Sequence, residues 1–162
     1  MDTAKVRIVP PRIGDGVVER IQALVGKEGE DVASDLTDLG RELRETVEGA
    51  TIVITVATAT RRGGFRRSRA LRDALGWLEA AGYGKDTRWS DIPEDIVEQY
   101  IILQQAASIL GALVPEELVN WAPPAALEGW LDVPDYIFSP ILAATWEMNP
   151  HWAPEVARAE KN

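Results

Sequence analysis

The sequence predicts an α+β fold, predominantly α, with helices packed around one small two-stranded sheet. Three observations predict it. Residues 51–56, Thr-Ile-Val-Ile-Thr-Val, are the strongest β-branched run in the chain. Only residues 5–9, Lys-Val-Arg-Ile-Val, otherwise alternate polar and apolar side chains as a half-buried strand does. The longer apolar segments elsewhere step by three and four residues, the spacing of one helix face.

In chain order, the strand at 5–9 ends at Pro10-Pro11, because proline cannot donate to a sheet ladder. Asp15 is a candidate cap for a helix to about residue 26, with Val17, Ile21, Leu24 and Val25 on one face. Gly26 and Gly29 interrupt it. A second helix is expected over 31–48, where Val32, Leu36, Leu39, Leu43 and Val47 make a single apolar stripe. Its outer face carries Asp31, Asp35, Asp38, Glu42 and Glu45, and Gly49 stops it.

The strand from Thr51 follows, and the segment at 5–9 is its expected partner. Two strands alone are marginal, so helices must cover one face. Residues 57–62 are expected to extend the strand as an exposed edge, with a turn at Gly63-Gly64. A helix over 66–81 then carries Leu71, Ala74, Leu75 and Leu78 inward and ends at Gly82, a left-handed cap position. Ser90 or Asp91, ahead of Pro93, Glu94 and Asp95, opens a helix to about residue 110. Its inward residues are Ile96, Tyr100, Leu103, Ala107 and Leu110, and it is expected to be the central core helix. Short helical pieces at 115–121 and 125–130 and a last helix at 134–148, broken at Ser139-Pro140, complete the chain. Asn149-Pro150 ends that helix. One domain over 1–156 with a polar tail at 157–162 is the expected organisation.

The 162 residues include no cysteine, which removes disulfides, thiolate nucleophiles and zinc–thiolate sites. No apolar run reaches the roughly 20 residues of a membrane span, and the start lacks an apolar signal region. A cytoplasmic protein is expected, in the host-cell cytoplasm if the source is viral. The net charge of −9 is unevenly spread. Residues 1–60 hold 7 basic and 11 acidic residues, a net of −4; residues 61–72 are +6; residues 73–162 hold 4 basic and 15 acidic, a net of −11.

Six arginines, Arg61, Arg62, Arg66, Arg67, Arg69 and Arg72, make that one basic corner. Arginines at a helix start oppose its dipole, which favours some use for them: an anion contact, a nucleic-acid contact, or docking onto an acidic partner. The alternative is a solvated helix start neutralising nearby carboxylates. The acidic remainder of the surface argues against nucleic acid. Arg61-Arg-Gly-Gly-Phe65 is a single RGG-like copy, and Gly63-Gly64 lacks the residues of a phosphate loop. His151, the only histidine, has no companion ligands or serine nucleophile motif. Asp132/Asp135 and Asp91/Glu94/Asp95 stand where helix starts favour acid. Trp121, Trp130, Trp146 and Trp152 serve either as an exposed recognition surface or as clamps for short helices. No metal or cofactor is expected.

Three segments, Val53-Ile-Thr-Val-Ala-Thr-Ala-Thr60, Arg66-Arg67-Ser-Arg-Ala-Leu71 and Trp146-Glu-Met-Asn-Pro-His-Trp152, together with the acidic helix at 91–110, carry a resemblance. Over residues 51–152 the chain resembles the tail assembly chaperones of long-tailed bacteriophages. The resemblance implies a non-enzymatic, mostly helical cytoplasmic protein. Such a protein binds the tape-measure protein, helps recruit tail-tube subunits and leaves the finished tail. The long acidic helix at 31–48 departs from that pattern. The expected partner-binding residues are Arg61, Arg62, Phe65, Arg66, Arg67, Arg69, Trp146 and Trp152, and an oligomer is compatible with the sequence. The alternatives are a head–tail connector of a phage particle, a small acidic inhibitor that mimics nucleic acid, and an enzyme using surface carboxylates and His151.

Overall fold

The computed structural model describes residues 2–154, so the polar tail expected from residue 157 lies outside the described residues. The fold is α+β and predominantly α. Its elements in order are β1 (Thr3–Ile8), α1 (Asp15–Leu24), α2 (Glu30–Ala50), β2 (Ile52–Ala57), α3 (Arg61–Ala80), α4 (Glu94–Ala112) and α5 (Asp135–Met148). Short 3-10 turns at Trp89–Asp91, Pro115–Glu117, Leu127–Asp132 and Pro150–Trp152 connect the later elements.

β1 and β2 pair antiparallel, with Ile8 opposite Ile52, Val6 opposite Ile54 and Ala4 opposite Val56. On β1 the alternation is plain: Thr3, Lys5 and Arg7 face solvent while Ala4, Val6 and Ile8 face inward. β2 is buried along its length, with Val53 alone partly open, and its second edge is also used. Val53 exchanges both backbone bonds with Val119 (3.0 and 2.9 Å), and the Val114 N–H donates to the Thr55 carbonyl at 3.0 Å. The inner face of the sheet packs on α4 and α5 through Ile109, Phe138, Ile141 and Leu142, joined by Trp130 of the Leu127–Asp132 turn. A smaller cluster of Ala74, Leu78, Tyr100 and Leu103 joins α3 to α4. α4 therefore lies at the centre of the helical layer, as its long apolar run foretold.

α1 and α2 form a helical hairpin inserted between the two paired strands. They pack on each other and make few contacts with the remainder of the chain. Gly14 starts α1 with φ 82°, and a Cβ there would press on the Leu43 methyl, so the crossing fits glycine twice over. Asn120 fixes the root of the hairpin: its Nδ2 donates to the Gly49 and Thr51 carbonyls at 2.9 and 3.0 Å.

The structure moves several boundaries. Gly14, not Asp15, occupies the α1 cap, and Asp15 is the first helical residue. Val25 lies past the end of α1 and is exposed, so it is not on the inward face. Gly63-Gly64 is not a turn but lies in the first turns of α3, which begins at Arg61; β2 ends at Ala57, so residues 58–62 are not strand. The Thr60 side chain caps that start by accepting from the Gly63 N–H at 3.2 Å. Ser90 and Asp91 form a 3-10 turn ahead of α4, whose cap position is Pro93. α5 runs unbroken through Pro140, and Ser139 donates to Asp135 at 2.6 Å instead of capping a new helix. The ends of α3 and α5 fall where the sequence put them. Gly82 (φ 99°) and Tyr83 close α3 with bonds from their N–H groups to the Glu79 and Leu78 carbonyls.

Candidate functional site

The expected partner-binding residues divide into three sets according to what α3 does with each face. The face toward α4 carries Gly63, Arg67, Ala70, Ala74 and Leu78 at helical spacing. The opposite face carries Phe65 between Arg61 and Arg69, each four residues away, with Arg62 and Arg72 beside them. Arg66 lies between the two faces.

Arg66 is used internally. Its Nε donates to the Leu110 carbonyl (3.2 Å) and its Nη2 to the Leu113 carbonyl (3.4 Å), both at the end of α4. A cation there satisfies carbonyls without a helical partner and suits the negative end of the helix dipole. The opposed dipole at the start of α3 is thus offset by a favourable one at the end of α4.

Arg67, Trp146 and Trp152 come together in a groove of about 310 Å³ above α4, with Leu71, Ile101, Gln104, Gln105, Ser108 and Pro154 completing its lining. The Arg67 guanidinium carbon stands 4.9 Å from the centre of the Trp152 ring, a cation–π arrangement. Its Nε donates to the Ser108 hydroxyl at 3.1 Å. Burial pushes the Arg67 guanidinium below the ordinary arginine range; the cation–π contact and the hydroxyl bond offset part of that desolvation, and the group stays charged. Ser108 is buried and was not singled out in the sequence; a serine on the apolar face of α4 was its only signal.

The outward set is different. Phe65 is 72% exposed, the largest exposure among the large hydrophobic side chains of the described residues. Arg61, Arg62, Arg69 and Arg72 are exposed around it. Only two ion pairs form among the described residues, Arg20–Glu42 and Arg41–Asp38, and both lie in the hairpin. None of the six corner arginines pairs with a carboxylate among the described residues.

A pocket of about 300 Å³ lies at the start of α3, lined by Thr58, Thr60, Arg62 and Arg66, but also by Glu116 and the end of α4. Thr60 already takes the Gly63 and Gly64 N–H groups through its side chain and carbonyl.

His151 is exposed in the last 3-10 turn beside Trp152. Glu94 and Asp95 occupy the first turn of α4, and Asp135 the first turn of α5. Among the described residues no group of three His, Cys, Asp or Glu side chains could hold a metal ion, and no helix is long and apolar enough to cross a membrane. Trp130 is buried in the core with its ring edge-on to Trp121 and Phe138, at 5.8 and 6.2 Å. Those two tryptophans clamp the proline-rich segment after α4. No protein-family model, curated protein or solved structure matches the chain.

Proposed function

We propose that this chain is a non-enzymatic protein-binding assembly factor that docks an acidic protein surface on the outward face of α3, in the cytoplasm. The observation that carries the reading is Phe65, 72% exposed between Arg61, Arg62 and Arg69. Aromatic and arginine side chains dominate binding hot spots, and unpaired arginines steer and orient an acidic partner. The groove at Arg67, Trp146 and Trp152 lies on the other side of the same helix and offers a second apolar contact.

The specific form comes from the resemblance of residues 51–152. It makes the chain a phage tail assembly chaperone whose partner is the tape-measure or tail-tube protein. A head–tail connector is the alternative within binding, and the two differ in fate: a chaperone is absent from purified particles and a connector is present.

The test is capture of the native partner from producing cells, with mass spectrometry of what is captured. Arg61→Gln/Arg62→Gln/Phe65→Ala/Arg69→Gln should keep the wild-type melting temperature and lose the partner. Wild-type capture should weaken as salt is added. Undiminished capture by the variant at low salt would overturn the reading.

A further inference from the structure

The hairpin carries a second unpartnered surface, and its chemistry is the complement of the α3 face. Two helices cannot cover their own apolar stripes. Of the stripe residues only Val17 and Leu39 are buried, while Ile21, Leu24, Val32, Leu36, Leu43 and Val47 stay partly open. On one side the seam opens into a cleft of about 510 Å³ with Ala23, Leu24 and Leu39 as its apolar floor. Asp35, Asp38, Glu42 and Arg20 form its rim. Arg20 reaches across to Glu42 at 3.0 and 3.2 Å and ties α1 to α2. Asp38 has only the 3.6 Å contact with the exposed Arg41, and Asp35 has no cation partner among the described residues.

The two faces match in three respects. The cleft has an apolar floor and an acidic rim; the α3 face has an apolar knob, Phe65, and a basic rim. Their charged rows are of similar length. Arg61 to Arg69 spans about 12 Å of helix and Asp35 to Glu42 about 10.5 Å, at the helical rise per residue. Both faces are exposed in the same chain, and neither α1 nor α2 packs on α3 to any extent. A second hairpin is a poor occupant, since two acidic rims would repel.

We propose that the occupant of the cleft is the α3 face of a second copy of this chain, with Phe65 entering over Leu24 and Leu39. This rests on the reading of α3 as a protein-docking face and names its partner. The two halves of the contact lie on different elements, so two copies can pair reciprocally, each α3 face in the other's cleft, or link head to tail. Every copy offers one cleft and one knob, so association either closes as a reciprocal pair or continues into a ring or a chain.

The test is the sedimentation of the full chain at low and high salt. The wild type should sediment as assemblies of two or more 17.8 kDa chains at low salt and dissociate at high salt. Arg61→Glu/Arg69→Glu and Asp35→Lys/Asp38→Lys should each be monomeric, and an equal mixture of the two should assemble again, because each swapped face meets its complement. Phe65→Ala, a small change at an exposed site, should weaken assembly with no loss of helical signal. A wild type that stays monomeric at low salt, or a mixture that fails to reassemble, overturns the proposal. If the Arg61→Glu/Arg69→Glu variant loses its foreign partner yet assembles like the wild type, the docking face stands and self-association through it falls.

Discussion

Gly63 and Gly111 meet backbone to backbone where α3 crosses α4. A Cβ on Gly63 would overlap the Gly111 carbonyl, and a Cβ on Gly111 would stand 2.9 Å from the Gly63 oxygen and from the Arg67 Cβ, and 3.0 Å from Trp152. This approach holds Arg67 against Ser108 and Trp152, and it fixes which face of α3 turns outward with Phe65.

Gly63→Ala should therefore destabilise the fold by about 1–3 kcal/mol, the range for overpacking, although alanine is the better helix former. Gly76→Ala, in the same helix with open space around it, should instead stabilise by about 0.5–1 kcal/mol. Denaturant titration of the two variants checks the contrast, and equal effects would contradict the close crossing.

Asn149 closes the other end of β2. It is fully buried, its Nδ2 donates to the Ala57 and Thr145 carbonyls (3.0 and 3.3 Å), and its Oδ1 accepts from the Ala59 N–H at 2.8 Å. Asn149→Leu leaves the Ala57 carbonyl and the Ala59 N–H without that partner, while the Thr145 carbonyl keeps the backbone N–H of residue 149 at 2.9 Å; each buried unsatisfied group costs about 1–3 kcal/mol. Asn149→Asp should also lose stability, because two carbonyls would then face a carboxylate. Thermal unfolding of both variants, with Glu147→Gln at an exposed neighbour as the control, tests this.

The corner arginines should separate by role. Arg61→Gln, Arg62→Gln and Arg69→Gln are surface changes and should each stay within about 0.5 kcal/mol of wild type. Arg67→Gln loses the Ser108 bond and the Trp152 stacking and should cost about 1–3 kcal/mol. If all four behave alike, the division between inward and outward faces is wrong.

Much of this was legible in the sequence, for identifiable reasons. The β-branched run at 51–56 and the alternation at 5–9 located both strands. The single stripe of residues from Val32 to Val47 located α2, and the apolar run from Tyr100 located the core helix. The start of α3 was not legible, because glycine in isolation disfavours helix by about 1 kcal/mol. Only the contact with Gly111, some fifty residues away in the chain, shows why Gly63 belongs there. Pro140 inside α5 is a similar case, where packing of Ile137, Phe138, Ile141 and Leu142 outweighs one lost ladder bond. The arginines were singled out from their charge, and Phe65 as part of the Arg61-Arg-Gly-Gly-Phe65 stretch. The cleft was not, since a stripe with an acidic outer face looks the same whether or not something else covers it.

Leu103 and Leu39 put a scale on the difference between body and hairpin. Leu103 is fully buried between α3 and α4, and Leu103→Ala should destabilise by about 2–5 kcal/mol in global unfolding. Leu39 is buried only between the hairpin helices. Leu39→Ala should speed amide exchange in α1 and α2 well before it affects α4. Equal loss of protection in both regions would show that the hairpin is not a separate packing unit.

The central claim is that the outward face of α3 is an interface, and a photo-reactive side chain at position 65 tests it most directly. Replacing Phe65 with p-benzoylphenylalanine in the producing cell and irradiating should give a protein adduct that maps to residue 65. The same residue at Tyr136, exposed on α5, should give little. The account predicts a strong, salt-sensitive adduct at 65; absence of an adduct there, or an equal yield at 136, would contradict it.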